Sequence, residues 1–262
     1  MSTAALYALP SFSLRFMPIW RRNFLVWKKL AVASVLGNIA DPLITLIAFG
    51  YGLGSLLKSV DGIPYIHFLA SGSICMSVMM ASSFEALYSA FSRMHVQKTW
   101  EALLNAPLAL DDVVLAEMLW AATKSLFSGV AILGVMFMLG IGIHPHTLLA
   151  LPLLFLIGMT FASLGLVFNA IAKGYDFFTY YFTLVLTPMI FLSGVYYPVA
   201  QLPGWLQVVS QLLPLGAAVN LVRPLILGSW PTTPVLDLTI LVVYCVGAFY
   251  LATMLTRRRL LK

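Results

Sequence analysis

Six apolar blocks, each close to the length of a bilayer span, alternate with loops whose lysines and arginines fall almost entirely on alternate sides. A helical span needs about 20 apolar residues, and the blocks lie near residues 42–58, 65–91, 113–141, 147–171, 177–195 and 235–256. Barrel strands would read as short alternating segments, whereas runs such as LLALPLLFLIGMTFASLGLVF are continuous. The pattern therefore predicts an all-α integral membrane protein with six transmembrane helices. Composition agrees: in 262 residues, 61% hydrophobic and 9% charged leave too little polar surface to cover a soluble globule. No short leader with a cleavage site precedes the first block, so the mature chain is expected to begin at or near Met1.

Lysine and arginine near span ends mark the cytoplasmic side. Arg15, Arg21, Arg22, Lys28 and Lys29 precede the first block, Arg93 and Lys98 follow the second, Lys173 follows the fourth, and Arg257, Arg258, Arg259 and Lys262 follow the sixth. Lys58 and Arg223 alone fall on the other side. Both termini are thus expected to be cytoplasmic in a bacterial inner membrane. The net charge of +6 needs no nucleic acid to explain it, because these residues lie beside anionic lipid headgroups. Cys75 and Cys245 both fall inside spans and read as small core residues, with no disulfide or metal site indicated.

Ahead of the first block, residues 14–38 place Arg15, Arg22 and Lys29 seven apart, with Arg21 and Lys28 beside them. Two helical turns separate such residues, so the charges share a face, and Phe16, Trp20, Phe24 and Trp27 add aromatic bulk. That is the pattern of a helix lying in the headgroup plane; a simple topology anchor reads the same way. Asp41-Pro42 reads as an N-cap followed by proline at the first helical position of the first span.

Between blocks two and three, residues 93–106 predict a short amphipathic helix from Met94 to Leu104, with Trp100, Leu103 and Leu104 on an exposed face that something must cover. Asp111 and Asp112 then suit the positive end of the third span. Between blocks five and six, prolines at 198, 203, 214, 224, 231 and 234 exclude a continuous span. Residues 199–228 there predict two short external helices, near 206–213 and 216–225, dipping into the outer leaflet.

Three ionisable residues sit inside the drawn blocks: Glu85, Glu117 and Lys124. An unpaired lysine at mid-bilayer costs roughly 2.5 to 3.5 kcal/mol. Glu85 and Lys124 have similar expected depths, so an interhelical pair is expected, snorkelling to the near surface being the alternative. His67, His95, His144 and His146 lie at loops or span ends, which disfavours a proton relay. No G-x-x-x-x-G-K-[ST], H-E-x-x-H, G-x-S-x-G or paired-cysteine motif occurs, so a catalytic site is not indicated and nucleotide is not bound in the P-loop manner by this chain itself.

Taken together, IWRRNFLVWKK, LGNIADPLI, SRMHVQKTWEALL, EMLWAATKS, AKGYDFFTYY, LTPMIFLSGVYYPVAQLP and LLPLGAAVNLVRPLILG resemble the permease subunit of type-2 ABC exporters, in the branch that exports lipo-oligosaccharides. The resemblance runs from about Ile19 to Gly228. It implies a homodimer paired through spans one and five, served by two copies of a separate ATPase chain that binds ATP and magnesium. It also implies that residues 93–106 form a coupling helix presenting Met94, Gln97, Trp100, Glu101 and Leu104 to that ATPase. The interface helix, with Arg21, Arg22, Trp27, Lys28 and Lys29, would rest beside the ATPase and membrane lipids. An amphiphilic substrate would pass between the two copies, making Phe177, Phe178, Tyr180, Tyr181 and Phe182 candidates for its path, or otherwise an interfacial aromatic belt. A drug or small-lipid exporter of the same architecture, a secondary transporter and a membrane-embedded lipid transferase are the rival readings.

Overall fold

Continuous apolar runs leave the backbone no water to bond with, so each must close its hydrogen bonds internally as a helix. The computed structural model describes residues 7–11, 13–57, 59, 60 and 62–260, and within them the backbone alone at 38, 39, 41 and 42. Lys58 and Lys262, and the side chains of Asn38 and Asp41, lie outside the described residues.

Helix α1 (Phe16–Lys28) is followed after a break at Leu30 by α2 (Ala31–Leu56). A two-residue hairpin, β1 (Ser59–Val60) and β2 (Ile63–Pro64), leads to α3 (Tyr65–Phe84), which continues through π turns at Glu85–Ser89 and Ser92–Val96. The short α4 (Thr99–Leu104) connects to α5 (Leu110–Met138). A 3-10 turn, Pro145–Leu149, introduces α6 (Ala150–Ile171). Helices α7 (Phe177–Tyr180) and α8 (Thr187–Leu192) are joined by a π turn, Tyr181–Leu186. Helices α9 (Gly204–Leu212) and α10 (Pro214–Ile226) meet at 83°, and α11 (Pro234–Leu260) completes the chain.

Among the described residues, four helical stretches are long and apolar enough to cross a membrane: Tyr65–Val96, Leu110–Met138, Pro145–Ile171 and Pro234–Leu260. The bent pair α9–α10 makes five if taken as one span, and Leu43–Leu56 and Phe177–Leu192 are shorter apolar helices. These two lie in the first and fifth drawn blocks, and the first belongs to the longer α2. The helix holding the first block does not start at Asp41-Pro42, as the sequence suggested: α2 runs on from Ala31. An internal proline is tolerated in such a helix, because the freed carbonyl can be satisfied by neighbours or local adjustment.

Core helices approach one another through small residues, as in membrane bundles where close backbone packing replaces a solvent-driven core. A Cβ on Gly158 of α6 would lie 2.5 Å from Ser125 Oγ and 3.0 Å from the Ala122 Cα of α5. One on Gly165 would lie 2.9 Å from the Ala86 Cβ. Almost every side chain of α10 is buried, and Arg223 from that helix donates to Gly194 O (2.6 Å) and Ser71 Oγ (3.1 Å) while its guanidinium lies 3.8 Å over the Phe68 ring. α10 is thus covered by protein, while α9 leaves Trp205, Val208 and Leu212 exposed.

Candidate functional site

One end of the bundle gathers the N-terminal segment, α1, the π turns of α3, α4, the start of α5 and the end of α11. At its centre lies a buried ionic cluster. Lys124 Nζ is 2.7 Å from Glu85 Oε2, so the two residues paired by expected depth are brought together. Arg93 enlarges the pair: it reaches Glu85 Oε1 at 2.9 Å and grips Glu117 through Nε at 3.0 and 3.1 Å. Two indoles complete the carboxylates' coordination, Trp120 Nε1 donating to Glu85 Oε1 (2.9 Å) and Trp100 Nε1 to Glu117 Oε1 (3.3 Å). The Glu117 side chain is 0% exposed and Arg93 12%, which places this bridge in the buried class.

The π turn explains how Arg93 gets there. A π turn takes one more residue than an α turn and leaves carbonyls out of the ladder. Here Asn169 of α6 donates its Nδ2 to Ala86 O (2.8 Å) and Leu87 O (3.3 Å), satisfying that widened turn from outside. Sequence reasoning missed Asn169 and the bridging role of Arg93, which had been read only as a topological charge. A lone asparagine in the apolar run LVFNAIAK was the available signal.

Residues 93–106 are not one helix. Lys98, at φ +50°, breaks the segment between the second π turn and α4. Trp100 is consequently 1% exposed and Met94 is buried, with Leu103 and Leu104 half-buried against the same core. The expected apolar face thus rests on this chain's own α5, and the exposed tip carries Val96, Gln97, Lys98 and Glu101 instead. The reason is Glu117, which offers the Trp100 indole an acceptor within the fold.

Helix α1 lies along α5. Trp20 Nε1 donates to Thr123 Oγ1 (3.1 Å), and Trp27 stacks on Phe127 with centroids 5.1 Å apart. Arg21, Lys28 and Lys29 are exposed, whereas Arg22 turns inward and donates to Asn23 Oδ1 at 2.9 Å. Burial lowers the Arg22 guanidinium below its ordinary value, and nearby Glu117 opposes that shift.

A second ionic tie closes the same end. Arg257 of α11 donates through Nε to Asp111 Oδ1 (2.8 Å) and through a terminal nitrogen to Ala8 O (2.6 Å). Ser11 N–H donates to Asp111 Oδ2 (2.8 Å), and Ser13 Oγ to Asp112 Oδ1 (2.7 Å). Asp112 Oδ2 also accepts from the Ala109 N–H, as an acidic residue in the first helical turn should.

The aromatic run of α7 and the following π turn does not share one face. Phe178 and Tyr181 are fully buried, Phe178 edge-on to Tyr88 and Phe91, and Tyr181 within 3.4 Å of Ser83 Oγ. They are core side chains and drop out of a substrate path through the exposed face of this chain. Tyr180 is 60% exposed, with Phe177 and Phe182 half-buried beside it. The cause is helical periodicity: Phe178 and Tyr181 lie three apart on the face toward the core, and Phe177 and Tyr180 lie three apart on the other.

No group of three or more histidine, cysteine, aspartate or glutamate side chains that could hold a metal occurs among the described residues.

Comparison with known proteins fits this architecture. Residues 15–227 match the model of the ABC-2 type transporter family. Nodulation protein J of Rhizobium leguminosarum bv. trifolii is 47% identical, covering 100% of each chain. Nodulation protein J of Rhizobium meliloti (strain 1021) is 46% identical, covering 97% of each. The inner membrane transport permease YadH of Escherichia coli (strain K12) is 28% identical, over 89% of this chain and 90% of its own. With its membrane-spanning helices and these relatives, the chain belongs to the ABC-2 type transporter family, as a multi-pass transport permease and not an enzyme.

Proposed function

We propose that this chain is the membrane half of an ATP-driven exporter that moves an amphiphilic glycolipid or lipo-oligosaccharide across the bacterial inner membrane. The ABC-2 family implies an ATPase supplied by another chain. In this reading two permease copies pair through the spans at 42–58 and 177–195, two ATPase chains bind ATP and magnesium beneath them, and both termini are cytoplasmic. The basic end of the bundle is then the ATPase-facing end, as the positive-inside rule requires.

The observation that carries the reading is the exposed tip at Val96, Gln97, Lys98 and Glu101, which is joined to two spans through the Glu85–Arg93–Glu117–Lys124 cluster. A force applied to that tip reaches α3 and α5 through short ionic contacts. ATP binds the closed ATPase dimer more tightly than the open one, and that difference in affinity is what biases the permease from inward to outward opening. The exposed Tyr180, with the half-buried Phe177 and Phe182 beside it, would meet the cargo, whose sugar rings pack on aromatic faces while its lipid tail stays among apolar side chains. α9 and α10 would shape the exit at the outer leaflet.

The test is the native mass of the complex drawn from its own host by a tag on this chain. Two copies with two P-loop ATPase chains are expected. Recovery alone, or with an enzyme of lipid synthesis, would refute the exporter reading. An exporter of drugs or small lipids is told apart by cargo: hydrophobic compounds, and not oligosaccharide lipids, would then stimulate ATP hydrolysis.

A further inference from the structure

Between α1, the π turns of α3 and α5 lies a notch of about 300 Å³, lined by Arg22, Asn23, Trp27, Glu85, Arg93 and Trp120 among others, with the exposed Val26 and Gln97 at its rim. Its charges do not cancel. Glu85 and Glu117 are matched by Arg93 and Lys124, and their oxygens are taken up by those two cations and by the Trp100 and Trp120 indoles. Arg22 is a third cation, and among the described residues it makes no ion pair.

The hydrogen bonds are out of balance in the same sense. Asn23 is 4% exposed, and its Oδ1 is occupied by Arg22 while its Nδ2 has no acceptor. Trp27 Nε1 is also buried without an acceptor. A buried donor left unmatched is costly and calls for an explanation. Every unmet group here is a donor, and the surplus charge beside them is positive. What the notch lacks is an anion with several acceptor oxygens.

We propose that the notch binds a phosphate group. A tetrahedral phosphate offers oxygens in divergent directions, so one can meet the planar Arg22 fork while another meets the Asn23 amide, and arginine favours such oxyanions. Helix α1, with its exposed Arg21, Lys28 and Lys29 and its tryptophans, has the character of a helix in the headgroup plane. That plane is where the phosphate of an anionic phospholipid lies, and soluble phosphate reaches the same rim.

The full chain in neutral detergent is titrated with inorganic phosphate and, separately, with dioctanoyl-phosphatidylglycerol. Bound copies are counted by native mass spectrometry, and affinity is read from the fluorescence of the lining tryptophans. One saturable site is expected. Arg22→Gln and Asn23→Leu should each weaken it roughly ten- to a hundredfold, the loss of one hydrogen bond to a charged group. Arg21→Gln removes the same charge from the exposed neighbour and should change it less than about twofold. Asn23→Leu also controls for folding: it deletes an unmatched donor together with the Oδ1 that accepts from Arg22, opposing effects, so its melting temperature should change little while binding falls.

Tighter binding of the lipid than of phosphate identifies a headgroup as the source, and equal affinity identifies soluble phosphate. No saturable site for either probe overturns the proposal. So does wild-type binding by Asn23→Leu, or an Arg21→Gln loss equal to that of Arg22→Gln, which would mean a diffuse basic surface. No ATPase enters the titration, so its outcome is independent of whether the exporter complex is found.

Discussion

Replacing Arg93 by methionine should be the most destabilising single change at the basic end of the bundle. Arg93 is the only cation within ion-pair distance of Glu117 among the described residues, so its loss leaves that fully buried carboxylate with the Trp100 indole alone. Surface ion pairs are worth about 0 to 1 kcal/mol, but breaking a buried pair from one side costs about 3 to 5 kcal/mol, because a charge is stranded. Lys124→Met is the internal comparison. Glu85 would keep Arg93 and Trp120, so the loss should be one charged hydrogen bond, about 1.5 to 3 kcal/mol. The double variant Arg93→Met/Glu117→Leu removes both charges and should recover most of the loss, since apolar replacement of a buried pair is often neutral. Reversible unfolding in mixed micelles, followed by the fluorescence of Trp100 and Trp120, gives all three values. Equal costs for Arg93→Met and Lys124→Met, or a double variant no better than Arg93→Met, would refute the argument that Glu117 is stranded.

Gly158→Leu should lower the melting temperature sharply, by overpacking worth about 1 to 3 kcal/mol or more, because even a Cβ there meets Ser125 and Ala122 of α5. Asn169→Ala should cost about 0.6 to 1.7 kcal/mol, the range for hydrogen bonds inside membrane proteins. Hydrogen exchange should then rise in 85–96 before it rises elsewhere in α3. Tyr180→Ala should leave thermal stability unchanged and lower cargo-stimulated ATP hydrolysis in the reconstituted complex. Tyr181→Ala, which empties a buried site, should lower stability by about 3 to 5 kcal/mol. Asp111→Asn should loosen the N-terminal segment from α11, seen as earlier protease cleavage within residues 7–15, because the Arg257 and Ser11 contacts converge on that carboxylate.

What the sequence made legible was what a long average can carry. Runs of 20 or more apolar residues announce helices whatever their neighbours do, and charge placed by depth was enough to pair Glu85 with Lys124. What stayed hidden was register. The facing of Trp100 at the tip follows irregular backbone that hydropathy does not encode, the φ of Lys98; Phe178 and Tyr181 were misjudged because five aromatics in six residues were read as one face, which no helix can present. Arg93 was legible as a charge near a span end but not as a bridge, because its partners lie on different helices. The start of the first span was misplaced because Asp-Pro is a strong helix-start signal in water, where an interrupted ladder is expensive to continue.

The ionic cluster also bears on how the chain enters its membrane. Of the four long spans, Tyr65–Val96 is the least apolar and the most enclosed by protein. Its Glu85 and Arg93, and the Glu117 and Lys124 of α5, are each unfavourable in a lone helix, by less than the roughly 2.5 to 3.5 kcal/mol of a charge at mid-bilayer because they lie toward one end. Neither helix is therefore well suited to partition into lipid before the other is made, and α3 would remain loosely held until α5 emerges to complete the contacts of Glu85 and Arg93. Biogenesis of this chain is then a handover between two helices rather than a series of separate insertions, and a substitution that spoils the cluster acts on yield before it acts on transport.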